Sequence, residues 1–380
     1  MSQQAMNTME ERAAAAPAVP ALDPVQRLTE LLGALSETAG PSGSERSVAQ
    51  LVADALRPFC DEVRVDALGN VIAKRAGTAP AADRRPRLMI AAHMDEIGLI
   101  VTKIEDEGFL RFTAIGGIDP RTLVAQEVIV LSDPPLPGFV GVKPPHLLVE
   151  AERAKAQPID ELFIDVGLRG EDARRRVRVG DPVVVKRRFT KLQGTRVCGK
   201  ALDNRAGVAA MIEAMRLLAG LSHVADVYAV ATVQEEVGLR GAIVSAYGIV
   251  PDMAIAVDVG YGAAPGLPED DVIAMGKGPA VGLGANVHPR LHDLLTRTAR
   301  LNGIPHQIEP MPASSGTDAW AMQVVRSGIP TAVVSIPLRY MHSSVEVVDV
   351  EDVRNTARLL AHAAAALSED HARGWAYDLA

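Results

Sequence analysis

The chain has 380 residues, 48% of them hydrophobic, which is enough for one large domain or two smaller ones with a sizeable core. Aromatic residues make up only 3%, so we expect a core built from Ala, Val, Leu and Ile. The formal net charge of −8 argues against a nucleic-acid-binding surface, which needs a basic patch.

Cysteine usage and the N-terminus bear on the compartment. The two cysteines, Cys60 and Cys198, lie far apart and do not form a disulfide framework, so we interpret them as reduced thiols. No apolar run reaches the roughly 18 residues that a membrane helix needs. Residues 1–22 lack the basic start and Leu-rich centre of a signal peptide. We therefore predict a cytoplasmic protein with a mobile tail over 1–22 and no membrane partner.

The first predicted elements are two helices, a hairpin and a strand. Asp23 is the expected N-cap of a helix whose apolar residues recur at three- and four-residue spacing. Ser44 is the expected cap of a second helix, and 63–75 has the pattern of a β-hairpin. The short apolar run 87–92 is typical of a buried parallel strand, and His93 follows it directly.

From about residue 100 to 197 the pattern changes to short β-like segments separated by Gly- and Pro-rich turns. The predicted strands lie at 99–103, 109–113, 127–131, 139–142, 162–165 and 182–186. Because α/β patterns flank this region on both sides, we predict an inserted all-β, barrel-like domain over 100–197.

After residue 198, helices and strands alternate again. The predicted helices are 203–218, 239–247, 288–301, 318–326 and 350–366, and the predicted strands are 227–233, 253–257 and 331–336. This rhythm is typical of a mainly parallel sheet covered by helices. We predict that 23–99 and 198–380 form a single α/β domain, interrupted by the insert.

Ionisable side chains follow several of these strands, and another opens the helix at 203. In open parallel sheets, ligands bind outside the carboxyl ends of the strands, so we expect these side chains to meet at one edge. They are His93, Asp95, Asp203, Glu235, Glu236, Asp258 and His342.

The residue types in this set indicate a metal site. A single catalytic zinc usually takes three protein ligands, whereas two histidines and three carboxylates suit two divalent metals that share a carboxylate. Such ligands accept zinc, cobalt or manganese. Taken singly, each residue also has a simpler interpretation: Glu235 and Glu236 as acids at a helix start, Asp203 as an N-cap, His342 as a loop residue. Only their joint placement favours the metal site.

Longer segments carry a family resemblance. They include AAHMDEIGLIV, FTAIGGIDPR, GKALDNRAGVA, ADVYAVATVQEEVGLRGA and SGTDA, and they run in one order from about residue 27 to about 365. With them the chain resembles the tetrahedral aminopeptidases, which include glutamyl aminopeptidases and proteins labelled endoglucanase M. The sequence differs from the family's usual residues at three places: the segment before Thr317, Trp320 and the position two residues after His342. These differences leave the substrate preference open.

The resemblance implies a role for each candidate residue. The metal ligands are His93 and His342 as terminal ligands, Asp203 as the bridge, and Glu236 and Asp258 as the remaining carboxylates. Glu235 matches the catalytic glutamate, and Asp95 matches the aspartate that orients the first histidine. The implied fold is a phosphorylase/hydrolase-like three-layer α/β domain with an inserted β-barrel dimerisation domain.

The expected function is therefore a metal-dependent aminopeptidase with two divalent ions, zinc or cobalt first and manganese as an alternative, acting on peptides. Self-association is implied as well, as dimers or tetrahedral dodecamers. Two alternatives stay open: a related di-metal deacylase of N-acyl amino acids, and a non-catalytic scaffold on the same fold. A glycosidase is disfavoured because its chemistry uses two carboxylates and no metal.

Overall fold

The computed structural model describes residues 23–81, 84–147, 156–313 and 315–372, so the predicted tail at 1–22 lies outside the described residues. The α-helices of this part of the chain are α1 (Pro24–Glu37), α2 (Arg46–Leu56), α3 (Gly170–Arg176), α4 (Leu202–Leu218), α5 (Arg240–Ile249), α6 (Pro289–Leu301), α7 (Asp318–Gln323) and α8 (Val350–Ala365). The strands are β1 (Glu62–Val65), β2 (Val71–Arg75), β3 (Arg87–His93), β4 (Gly98–Ile104), β5 (Leu110–Ile115), β6 (Glu127–Val130), β7 (Leu136–Gly141), β8 (Phe163–Asp165), β9 (Pro182–Val185), β10 (Thr190–Lys191), β11 (Arg196–Gly199), β12 (Asp226–Thr232), β13 (Met253–Tyr261), β14 (Ala280–Gly284), β15 (Gln307–Met311), β16 (Thr331–Arg339) and β17 (Glu346–Asp349).

A mixed sheet forms the centre of the molecule, in the order β1-β2-β12-β3-β13-β16-β17-β11-β10, and β14 and β15 extend it from β16. Its four central strands, β12, β3, β13 and β16, are parallel. The strands on either side of them, β2 and β17, are antiparallel to them. The prediction of a mainly parallel sheet is thus wrong for the flanks, where hairpins such as β1–β2 add antiparallel strands.

The central strands are deeply buried. β3 is buried in all but its first residue, and β13 in all but its last, as expected for parallel strands covered by helices. Helix α4 packs against both of them and against α8. The small side chains Ala206, Ala209 and Ala210 are fully buried on α4, so the helix can lie close to the sheet. The three-layer arrangement stays a prediction.

The inserted region forms a closed barrel of β4-β5-β8-β7-β6-β9. Its interior is apolar and includes Leu99, Leu110, Val128 and Val183. The region is not all-β, however, because α3 lies between β8 and β9. This helix has acids in its first turn and arginines in its last, which suits the helix dipole, but it is too short to show helical periodicity in the sequence.

Two cap predictions have opposite outcomes. The carboxylate of Asp23 accepts hydrogen bonds from the N–H groups of Val25 and Gln26, at 3.0 and 3.3 Å, which confirms it as the N-cap of α1. The prediction for Ser44 is wrong, because Glu45 precedes α2 and gives it no side-chain cap. The Glu45 carboxylate instead accepts from two loop N–H groups, on Gly43 and Gln234.

Two further predictions concern cysteines and membranes. Cys60 and Cys198 are both free thiols, as expected. Throughout the part of the chain that the structure describes, no helix combines the length and apolar character needed to cross a bilayer. The cytoplasmic location stays a prediction.

Candidate metal centre

The four central parallel strands end at the same edge of the sheet. Thr232, the last residue of β12, pairs with His93, the last residue of β3. Asp258 lies within β13 and pairs with Ser335 of β16. The chain beyond β12 carries Glu235 and Glu236, and the chain beyond β16 carries His342. Adjacent strands therefore deliver these side chains to one place.

Asp203 occupies the middle of the cluster. Its Oδ1 lies 3.1 Å from Nε2 of His93, and its Oδ2 lies 3.4 Å from Nε2 of His342. The carboxylate is nearly buried, with 8% of its side chain exposed. One carboxylate thus faces two imidazoles through its two different oxygens.

The remaining carboxylates are distributed between the two imidazoles. Oε2 of Glu236 lies 3.4 Å from Nε2 of His342. Oδ1 of Asp258 lies 3.7 Å from Nε2 of His93, and Oε2 of Glu235 lies 4.0 Å from the same nitrogen. Ligand atoms of His93, Asp203 and Glu236 all lie within 4.8 Å of one another, which is a spacing that can surround a metal ion.

The cluster opens into a cavity of about 270 Å³. Its lining combines the six clustered side chains with the end of β13, the loop before α7 and one residue of β15. The lining residues outside the cluster are Val259, Gly260, Tyr261, Glu309, Ser315, Gly316, Thr317 and Met341. The cavity therefore gives a small molecule or a chain end direct access to the clustered ligands.

The carboxylates of this site carry more negative charge than its imidazoles can balance. Burial raises the pKa of Glu235 to about 10, although the His93 imidazole opposes the shift. Burial also raises the pKa of Asp258 well above its ordinary value. Contacts with Asp203 and Glu236 raise the pKa of His342 to about 11. A divalent cation would supply the positive charge that protons otherwise provide here.

Asp95 connects the first histidine to the glutamate pair. It is fully buried, and its Oδ1 lies 3.6 Å from Nδ1 of His93. The carboxylate accepts hydrogen bonds from the N–H groups of Glu235 and Glu236, at 3.1 and 3.3 Å, and from the hydroxyl of Ser42 at 2.6 Å. Asp95 thereby fixes the backbone of both glutamates as well as facing the imidazole.

Glu346 has a matching position on the other side of the cluster, and sequence reasoning did not single it out. Its Oε2 accepts a hydrogen bond from the N–H of Asp203, and its Oε1 accepts one from the N–H of His342, both at 3.0 Å. The side chain is buried, and burial raises its pKa. The one available signal in the sequence was a glutamate at the start of β17, ahead of two valines.

Asp318 is a second carboxylate that the sequence did not indicate. It is 2% exposed, and its Oδ2 accepts a hydrogen bond from the hydroxyl of Thr232 at 2.6 Å. Its Oδ1 has no hydrogen-bond partner among the described residues. Burial raises its pKa to about 6. Asp318 therefore adds to the negative potential behind His93.

The backbone around the cluster adopts unusual conformations. Ala201, Gln234 and His342 have φ values of 56°, 55° and 59°, in the left-handed region that non-glycine residues rarely adopt. These residues precede or carry the clustered side chains. Such conformations persist where the surrounding structure enforces them, and they are concentrated at functional sites.

The barrel reaches this edge through the loop after β5. A Cβ atom on Gly117 would lie 2.9 Å from Nδ1 of His342, closer than side chains pack. Glycine at this position therefore lets the loop backbone lie against the imidazole, and a larger residue would displace the histidine from Asp203 and Glu236.

Residues 69–359, well over half of the chain, match the model of the M42 glutamyl aminopeptidase family. This chain is an M42 peptidase. The lysyl aminopeptidase of Pyrococcus furiosus is 43% identical to it over 335 residues, which cover 87% of this chain and 94% of that protein. The M42 peptidase is accordingly an enzyme that hydrolyses peptide bonds.

Solved structures agree with this membership. An aminopeptidase of the archaeon Desulfurococcus kamchatkensis superposes with a TM-score of 0.85 at 38% identity, covering 92% of this chain and 98% of that one. The TET1 peptidase of Pyrococcus horikoshii, which can assemble into a tetrahedron or a large octahedral shell, gives a TM-score of 0.78 at 33% identity. That match covers 90% of this M42 peptidase and all of the other chain.

M42 peptidases are metallopeptidases, and the residues of the cluster fit divalent cations. The donor set contains two imidazoles and several carboxylates, which suits zinc, cobalt or manganese. The Nε2 atoms of His93 and His342 both face carboxylate oxygens of the cluster. Asp95 faces the other ring nitrogen of His93, which is the usual arrangement around a metal-bound histidine.

Proposed function

We propose that this M42 peptidase removes the first residue of peptides with the help of two divalent cations. Asp203 and four further residues would hold them, with His93 and Asp258 on one side and His342 and Glu236 on the other. The observation that carries the proposal is the position of Asp203, whose two oxygens face the two histidines separately. A carboxylate in this position is suited to be shared by two metals.

The cations and the protein have separate parts in the reaction. Two such cations, when bound, lower the pKa of a water molecule and polarise the scissile carbonyl. Glu235 accepts a proton as the water oxygen attacks the carbonyl carbon, and it then delivers that proton to the leaving amine as the C–N bond breaks. Glu235 lines the cavity beside the ligands, and its carboxylate is nearly buried, so it can hold the proton between these steps.

Asp95 and Glu346 act by positioning the other residues. Asp95 fixes the backbone of Glu235 and Glu236 and faces His93, while Glu346 fixes the backbone of Asp203 and His342. Each of the two carboxylates therefore holds ligands that lie far apart in the sequence. Outer partners of this kind contribute about 10- to 100-fold in metal affinity or activity.

The barrel and the assembly complete the proposal. The barrel, from β4 to β9, forms a dimerisation domain inserted into the catalytic domain, to which β10 and β11 belong, and copies of the chain assemble into a closed oligomer. The support is the closed barrel itself and the likeness to the TET1 peptidase of Pyrococcus horikoshii. Sedimentation of the purified protein at several concentrations tests the assembly, and a monomer throughout would contradict it.

A substrate panel tests the activity. The protein is stripped with a chelator and reloaded with Zn²⁺, Co²⁺ or Mn²⁺, and its metal content is measured. Aminoacyl p-nitroanilides are then compared with N-acyl amino acids. We expect cleavage of anilides that have a free α-amine, loss of activity on chelation, and two metals per chain. Preferential cleavage of N-acyl amino acids would favour the deacylase instead, and absence of bound metal would favour a scaffold.

A further inference from the structure

Glu309 is a carboxylate of the cavity lining that the proposed mechanism does not use. It lies on β15, far in sequence from every ligand, and its side chain is partly buried. The hydroxyl of Ser335 donates a hydrogen bond of 2.5 Å to its Oε2. Ser335 pairs directly with Asp258 across the sheet, so Glu309 is anchored beside a proposed metal ligand.

The second oxygen of Glu309 is open. Among the described residues, no hydrogen bond and no ion pair reaches Oε1. A Cβ atom on Gly260 would lie 3.2 Å from this oxygen, so the absence of a side chain there leaves space around it. Gly260 also lines the cavity. The carboxylate is thus held by one oxygen and presents the other at the cavity wall.

The charge of Glu309 has no cationic counterpart among the described residues that line the cavity. The described lining of the cavity includes no lysine or arginine, and the imidazoles of His93 and His342 face other carboxylates. Because Glu309 is partly buried, its charged form loses contact with water, and burial raises its pKa. A partly buried carboxylate of this kind is stabilised by a cation that enters the cavity.

We infer that Glu309 selects substrates whose first residue has a cationic side chain, lysine or arginine. This inference rests on the proposed function, because it assigns the residue that the same cavity accepts. A lysine side chain carries its ammonium on a flexible four-carbon stem and can donate a charge-assisted hydrogen bond to Oε1. A first residue with an acidic side chain would meet another carboxylate and find no cation.

Matched substrates isolate the charge. Lysyl and norleucyl p-nitroanilide have side chains of similar length and differ in the terminal ammonium, and glutamyl p-nitroanilide has the opposite charge. Kcat/KM is measured for the three with the Zn²⁺- and Co²⁺-loaded enzyme. Glu309→Gln keeps an oxygen that accepts from Ser335 and removes the charge. Glu269→Gln makes the same change at an exposed acid outside the cavity lining.

We expect the order lysyl, norleucyl, glutamyl for the unaltered enzyme. In Glu309→Gln the lysyl-to-norleucyl ratio of kcat/KM should fall roughly 10- to 100-fold, the range of a hydrogen bond to a charged group, while norleucyl cleavage persists. Glu309→Asp keeps the charge but withdraws it by one methylene, so it should give an intermediate ratio. Glu269→Gln should leave the ratio unchanged.

Three results would overturn the inference. They are a preference of the unaltered enzyme for norleucyl over lysyl substrate, an unchanged ratio in Glu309→Gln, and an equal loss on both substrates, which would mean that Glu309 binds the α-amine. Calorimetric binding of L-lysine and L-norleucine to the Zn²⁺-loaded protein separates this from the proposed function. If no anilide is cleaved, the aminopeptidase proposal fails. Tighter binding of L-lysine than of L-norleucine that disappears in Glu309→Gln would still support the role of Glu309 in binding a cationic side chain.

Discussion

The sheet edge and the barrel differ in what they bury. Over 98–185, the strands and loops of the barrel, Ser132 is the single buried polar side chain among the described residues. The sheet edge buries His93, Asp95, Asp203 and several more ionisable groups. The barrel is therefore held by apolar packing, whereas the edge keeps charges that are costly without partners. A substitution in the barrel core should therefore change mainly stability, and one at the sheet edge mainly chemistry.

The largest expected effect lies at the edge. Glu235→Gln removes the proton acceptor and keeps the size of the side chain, so kcat should fall about 10²- to 10⁴-fold, the usual contribution of general acid–base catalysis. Metal content, measured by elemental analysis, should not change. Glu161→Gln is the control, because it makes the same substitution at an exposed acid of the inserted region. Near-full activity of Glu235→Gln would remove Glu235 from the reaction.

The barrel should respond in the opposite way. Leu110→Ala empties a fully buried position of the barrel core and should lower the free energy of unfolding by about 2–5 kcal/mol. The metal content and kcat of the folded fraction should stay close to those of the unaltered protein. Leu301→Ala, at a residue 80% exposed on α6, is the control in the same denaturation experiment. If Leu110→Ala lost its metals while folded, the two regions would not be separable.

Metal binding should stabilise the edge selectively. At a free Zn²⁺ concentration 100 times Kd, one site contributes about 2.7 kcal/mol to the free energy of unfolding. Hydrogen exchange with and without chelator locates the effect. Amides of 93–96 and 342–346 should be protected by the metal, and those of the barrel strands should change little. Equal protection in both regions would contradict the division.

The smallest effect is expected at Glu346. The N–H groups of Asp203 and His342 face different oxygens of Glu346, so in a glutamine one of them would face an NH₂ donor instead of an acceptor. Metal affinity should fall roughly 10- to 100-fold in Glu346→Gln, as measured by competition with a chelating dye. Glu351→Gln on α8 serves as control. An unchanged affinity would make Glu346 a purely structural residue.

The sequence predicted the edge better than its supports. His93, Glu235 and His342 follow apolar strands, and strand direction alone places such residues at one edge. Glu346 opens the four-residue strand β17, and Glu309 lies within the five-residue strand β15. In strands this short, the sequence does not show which way a single glutamate faces. Glu346 accepts hydrogen bonds from residues 4 and 143 positions away in the sequence, and Glu309 accepts one from a residue 26 positions away. Local patterns carry no information on such contacts.

In the barrel region, the sequence predicted the strands but not the helix. Its strands were predictable because they are short apolar segments separated by turn residues. Helix α3 was not predicted, since seven residues cover only two turns and include no repeated apolar stripe. The β1–β2 hairpin was predicted correctly, but its place at the flank of the main sheet was not, because strand order depends on which edges meet in space.

The way the barrel closes also affects how the metal centre assembles during folding. His93 and Asp203 are 110 residues apart in the chain, and most of that separation is the barrel. Leu99 of β4 pairs with Val183 of β9, so the two ends of the insert lie side by side once the barrel has formed. The loop that remains to be closed between His93 and Asp203 then corresponds to about 25 residues. The entropic cost of closing it is about 1 kcal/mol lower than for the full separation of 110 residues. A barrel that forms early during folding would thus shorten the effective separation between His93 and Asp203 and make their contact easier to form.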